Sequence, residues 1–179
     1  MDLLFSRLNI LFFTFLFFTF SLFSQNDSIS RNQEVINTME KYGPSISPTY
    51  DTAVCTELVI GILEHLCLLD SMDKNNIRII VTEDVYQLIE NGAPQPKGVY
   101  YALTKSNKGI AIDDHKDALP GDFVQFWYPN SWGHCGVLHS IDQVNKTMKL
   151  YSSFPSTEGY GIQEFDIPDY CFFVRLKER

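Results

Sequence analysis

Cys55-Thr-Glu-Leu-Val-Ile-Gly-Ile-Leu-Glu-His-Leu-Cys-Leu-Leu69 is the stretch that reads most strongly as helix. Leu58, Val59, Ile62, Leu63, Leu66 and Leu69 recur at helical spacing and form a broad apolar face. A face that wide marks a central, buried helix. Thr52 or Asp51 can cap its start. Upstream, Val35, Ile36, Met39 and Tyr42 predict a helix over 33–42, stopped by Gly43-Pro44. Downstream, Asp70 to Asn76 reads as a polar turn, and short helices are predicted over 83–90 and 98–106. The turn at 107–109 follows.

From Ala118 onward the period changes. Residues 123–128, 135–141, 148–153 and 170–176 are rich in aromatic and β-branched side chains and read as strands. A short strand is expected at 162–165, and the segment 142–146 makes a hairpin connection. Helices first and antiparallel strands later indicate an α+β fold, with the C-terminal sheet packed against the central, Cys55-bearing helix.

The N-terminus reads differently from the rest. An almost purely apolar run spans Ile10 to Phe23, and polar Gln25-Asn26-Asp27-Ser28 follows at once. That pattern fits a secretory signal over residues 1–24, cleaved after Ser24. The run is shorter than the roughly 20 residues a spanning helix needs, so no stable membrane span is expected after cleavage. The remaining 155 residues (179 − 24) form one domain, 25–179. A periplasmic or secreted monomer is expected. The 14 basic and 22 acidic residues leave a net charge of −8, with no basic cluster to neutralise phosphates, which argues against nucleic-acid binding.

Export permits disulfides among Cys55, Cys67, Cys135 and Cys171. Cys135 and Cys171 could pair if their strands are neighbours. Each reads more readily as a small buried apolar residue. Cys55 differs because it opens a helix, where unpaired backbone N–H groups favour a thiolate. His134, 79 positions later (134 − 55), follows Gly133 at the start of a predicted strand. An imidazole beside a thiol completes a nucleophile–base pair. Strand alternation puts His134 with Gly136 and Leu138, and that face is expected to meet the Cys55 helix. His65 and His115 read as structural, and His134 with His139 could share a metal only across a bulge, so no metal is expected.

An imidazole base is usually oriented by an acceptor on its other nitrogen. The next strand offers Ser152 or Ser153, with Gln163, Glu164 or a backbone carbonyl as further choices; Ser153 is carried as the candidate. Tyr50 could donate its phenolic hydroxyl to an oxyanion. Trp127, Trp132 and Gln125 are candidates to line a substrate groove. Asp122 reads as a turn residue.

Three segments, Tyr50 to Val59, Pro120-Gly-Asp-Phe-Val-Gln-Phe-Trp127 and Gly133-His-Cys-Gly-Val-Leu138, together resemble the NlpC-like cell-wall cysteine peptidases and the related CHAP amidases. The resemblance covers roughly residues 45–176. It implies a papain-like core, Cys55 as nucleophile, His134 as base and Tyr50 as the upstream tyrosine. It implies cleavage of peptide or amide bonds in peptidoglycan stems without metal or cofactor. A groove that binds a stem peptide or glycan without cutting it is the alternative, as is acyl transfer from a thioester to another acceptor.

Overall fold

The order of elements follows from where capping residues and apolar stripes fall in the chain. The computed structural model describes residues 30–129 and 132–178. The signal-like stretch at 1–24 lies outside the described residues. Among the described residues no helix is long and apolar enough to cross a membrane. Helix α1 (Arg31–Ile46) is capped by Ser30, whose hydroxyl accepts the Gln33 N–H. It does not stop at Gly43-Pro44 as expected. Pro44 removes only one hydrogen bond near the helix end. Gly43 is there because the Tyr160 ring lies against it, leaving no room for a Cβ. The Ser47 N–H closes the last turn on Gly43.

Helix α2 (Cys55–Leu66) buries Leu58, Val59, Ile62 and Leu63 completely. It ends three residues earlier than its apolar pattern suggests; Leu68 lies beyond it and is 91% exposed. The expected polar turn after it is instead helix α3 (Ser71–Arg78). A reciprocal capping box nucleates it: the Asp70 carboxylate accepts the Asp73 N–H, and Asp73 accepts the Asp70 N–H. Helices α4 (Val85–Glu90) and α5 (Gly98–Lys105) complete the helical half.

Six strands follow: β1 (Gly109–Ile112), β2 (Phe123–Trp127), β3 (Gly133–Asp142), β4 (Thr147–Phe154), β5 (Gly159–Asp166) and β6 (Tyr170–Leu176). They form one sheet in the order β1-β6-β2-β3-β4-β5, antiparallel throughout. The fold is α+β. β1 was not expected: only its first residue, Gly109, falls in the expected turn at 107–109, its four residues carry too short a pattern to register, and pairing with β6 makes it a strand. β5 spans eight residues rather than four, because it pairs along the whole of β4.

Both faces of the sheet are covered by apolar groups. One meets the helices through Phe123, Cys135, Val137, Tyr151 and Val174. The other carries Val124, Phe126, Leu138, Leu150, Phe165 and Phe173. His134 stands on this second face and Cys135 on the helix face, the reverse of the expected assignment. Alternation could not decide it, because apolar residues fill both sides of β3.

The turn at Pro120-Gly-Asp122 locks the halves together. Gly121 has φ +93°, and a Cβ there would stand 2.5 Å from the Asn32 carbonyl oxygen of α1. Asp122 is 0% exposed. Its carboxylate accepts from Arg175 Nε and Nη2 (both 2.8 Å), Asn32 Nδ2 (2.9 Å) and the Leu119 N–H (2.7 Å). One side chain therefore ties α1 and β6 to the turn preceding β2.

Candidate active site

Cys55 is the first residue of α2. The expected caps, Thr52 and Asp51, do not cap it. The N-cap residue is Val54, which offers no side-chain acceptor, and the Thr52 hydroxyl bonds Thr49 instead. No side chain therefore competes with the sulfur for the N–H groups of the first turn. Glu57, the acidic residue of that turn, is engaged by Arg78 through Nε (2.7 Å) and Nη2 (3.0 Å), which neutralises its charge near the thiol.

The loop before Cys55 is pinned to the sheet. Ser153 Oγ donates to the Ala53 carbonyl (2.5 Å), and Ser47 Oγ donates to the same carbonyl (2.8 Å) and lies 2.8 Å from Ser153 Oγ. Ser153 is fully buried. It is not the partner of His134; its hydroxyl is spent holding the start of α2. The reason is the same reversal of faces, since Ser153 shares the helix side with Tyr151. Replacing Ser153 by Ala leaves a buried carbonyl and hydroxyl short of a partner. It is expected to cost about 1–3 kcal/mol of stability in urea unfolding, with the pH dependence of Cys55 alkylation unchanged. A shifted alkylation profile at full stability would instead mark Ser153 as the orienting group.

Cys55 is half-buried, and its sulfur meets two neighbours at the start of β3. Its pKa is pulled down to about 4. The Cys135 side chain contributes most, donating a hydrogen bond to the sulfur. Burial opposes the shift, while the His134 imidazole adds a hydrogen bond and its charge, and the Cys135 backbone adds another bond. Cys135 moves the other way. Its bond to Cys55 and its burial hold its thiol well above the ordinary range, so it stays protonated beside a thiolate. Tyr50 is also near: burial raises its hydroxyl pKa, and so do the charges of Cys55 and Asp51.

His134 is 3% exposed. Its Nε2 has no hydrogen-bond partner. Where an acceptor is expected there is an aromatic cage. Trp132 stacks on the imidazole (5.8 Å between centroids, 11° between planes), and Phe154 (5.2 Å), Phe165 (5.2 Å) and Phe126 (5.9 Å) close the other sides. Ser152, on the neighbouring strand, is also buried with its hydroxyl unpartnered.

Of the groove candidates, Trp132 stays at the site, half-buried against His134. Trp127 and Gln125 do not line a groove. Trp127 is buried and its indole N–H donates to the Pro96 carbonyl (2.7 Å). Gln125 is 2% exposed and donates to the Phe126 carbonyl (3.2 Å). Both point toward the helices, where the register places them beside Cys135 and Gly133. Cys135 and Cys171 cannot pair, since their strands β3 and β6 flank β2 on opposite sides. None of the four cysteines is in a disulfide. His65 stacks on Tyr42 at 3.9 Å, away from the site. Among the described residues no group of three or more His, Cys, Asp or Glu side chains could hold a metal.

Two things escaped the sequence reading. Cys135 was passed over because alternation points it away from His134; its proximity to Cys55 depends on the helix packing on that side. The cage residues Phe154 and Phe165 come from two later strands, and only their shared aromatic character hinted at a cluster. Set against known proteins, the chain is matched by no protein-family model, no curated protein and no solved structure.

Proposed function

We propose that this protein is an exported cysteine hydrolase on a papain-like core, cleaving amide or peptide bonds of peptidoglycan stem peptides. The observation that carries the reading is the Cys55 sulfur at a helix start with no side-chain cap, where the Cys135 thiol and the His134 imidazole pull its pKa down to about 4. The thiolate attacks the amide carbonyl carbon and the C=O electrons move onto oxygen. The Cys55 backbone N–H and the Tyr50 hydroxyl hold that oxyanion. His134 gives its proton to the departing amine. Water then attacks the thioester, His134 takes a proton from it, and the carboxylate product leaves. The substrate class rests on the resemblance of the three segments around Cys55, Asp122 and His134.

The test is release of new amino groups from purified sacculi. The wild-type protein is expected to release them, and Cys55→Ala to be at least about a thousandfold slower. Equal release by the two would sink the proposal.

The missing acceptor at His134 Nε2 favours a second reading, a groove on the same scaffold that holds a stem peptide without cutting it. Saturable binding to sacculi with no amine release would decide for it.

A further inference from the structure

We propose that Cys55 and Cys135 form a reversible disulfide, which makes the pair a site of oxidative modification by hydroperoxides. Cys55 packs against the core cluster that contains Cys135. Cys135 lies two residues before Val137 on β3, and Ser153 lies two residues after Val137's partner Tyr151 on β4, so the two stand at the same end of the strand pair; each thiol shifts the other's pKa. The Ser153–Ala53 bond (2.5 Å) holds the start of α2 against the strand next to β3, so the approach is built into the fold. The two thiols differ in access. Cys55 is partly buried and reachable, while Cys135 is 1% exposed and packed in the core. An oxidant therefore meets Cys55 first, and Cys135 is placed to resolve what forms there. No other cysteine competes. Cys67 caps the far end of α2, about 18 Å along the helix from Cys55, and Cys171 packs in the cluster on the other face of the sheet.

The chemistry balances with a peroxide as oxidant. The Cys55 thiolate attacks one peroxide oxygen; an S–O bond forms, the O–O bond breaks, and hydroxide leaves. Cys55 is now a sulfenic acid. The Cys135 sulfur attacks the Cys55 sulfur; an S–S bond forms and the S–O bond breaks. The second hydroxide takes the Cys135 proton and departs as water. A dithiol returns two electrons and two protons and restores both thiols. While the bridge stands, Cys55 has no lone thiolate to offer a substrate, and it is shielded from irreversible oxidation. None of this depends on which bond Cys55 cuts, or on whether it cuts one.

The experiment treats the reduced protein with one equivalent of hydrogen peroxide and maps its peptides by mass spectrometry. The expected result is a peptide pair linked through Cys55 and Cys135, with Cys55 closed to iodoacetamide and reopened by dithiothreitol. In Cys135→Ser, Cys55 is expected to be trapped by dimedone as the sulfenic acid, and then to pass to a sulfinic acid that dithiothreitol does not reverse. Dimedone-labelled or sulfinic Cys55 in the wild-type protein without the linked pair overturns the proposal, as does a link to Cys67 or Cys171. Peptide mapping reads these outcomes even if the protein digests no peptidoglycan.

Discussion

Asp122→Ala is expected to lower the unfolding free energy by about 3–5 kcal/mol. The carboxylate is fully buried and satisfies four donors from three parts of the chain: Arg175 twice, Asn32 and the Leu119 N–H. Removing it leaves the Leu119 N–H without its acceptor and the partly buried guanidinium without its counter-charge, with only the Asp117 carbonyl left to Arg175 and the Pro120 carbonyl to Asn32. A domain of this size is stable by only about 5–15 kcal/mol, so the variant should lie close to unfolding. Asp122→Asn keeps an acceptor oxygen but loses the charge opposite Arg175, and should fall between. The check is urea unfolding of the three proteins. A midpoint unchanged in Asp122→Ala would mean the network is exchanged for water at no cost.

The second large effect concerns Cys55. An ordinary thiol, with a pKa near 8.5, loses about tenfold in thiolate for each pH unit below it. With its pKa lowered to about 4, Cys55 is expected to alkylate at a nearly constant rate from about pH 5 to 8. The shape of the profile, not its height, is the signature, because a weakly basic thiolate is also a weaker nucleophile. His134→Ala and Cys135→Ala should each restore a rising profile, Cys135→Ala more so because its side chain contributes most. Stability follows the same titration. The unfolded chain binds a proton at Cys55 throughout the interval in which the folded protein does not. Wild type should therefore gain on Cys55→Ala as pH rises from about 4 to the ordinary thiol range, keep that gain above it, and lose it as pH falls through 4. Alkylation with each cysteine identified by mass spectrometry, and melting temperatures of the two proteins across that range, check both halves. An alkylation rate that rises with pH throughout would remove the basis for a preformed thiolate.

Much of the architecture was legible in the sequence. Helices before strands gave the α+β class, and the strands at 123–127 and 170–176 were located to within a residue. What escaped depended on partners remote in sequence. Pro44 did not end α1, because a single missing bond near the terminus is tolerated when Tyr160 packs on Gly43. The helix at 71–78 hid behind its polarity; the Asp70–Asp73 capping box was its readable sign. At the site, Cys55, His134 and Tyr50 could be named from local pattern and are near one another. Ser153, Gln125 and Trp127 were misassigned for one shared reason. Side chains on adjacent strand positions differ in role by face, and the faces of β2, β3 and β4 are decided by which side the helices cover.

The stacking of Trp132 on His134 places an optical reporter against the candidate base. The chain has two tryptophans, and the other, Trp127, is sequestered by the Pro96 carbonyl. The emission of Trp132 therefore depends on where the His134 ring sits, and a ligand that displaces either ring announces its arrival as a change in light, without a label.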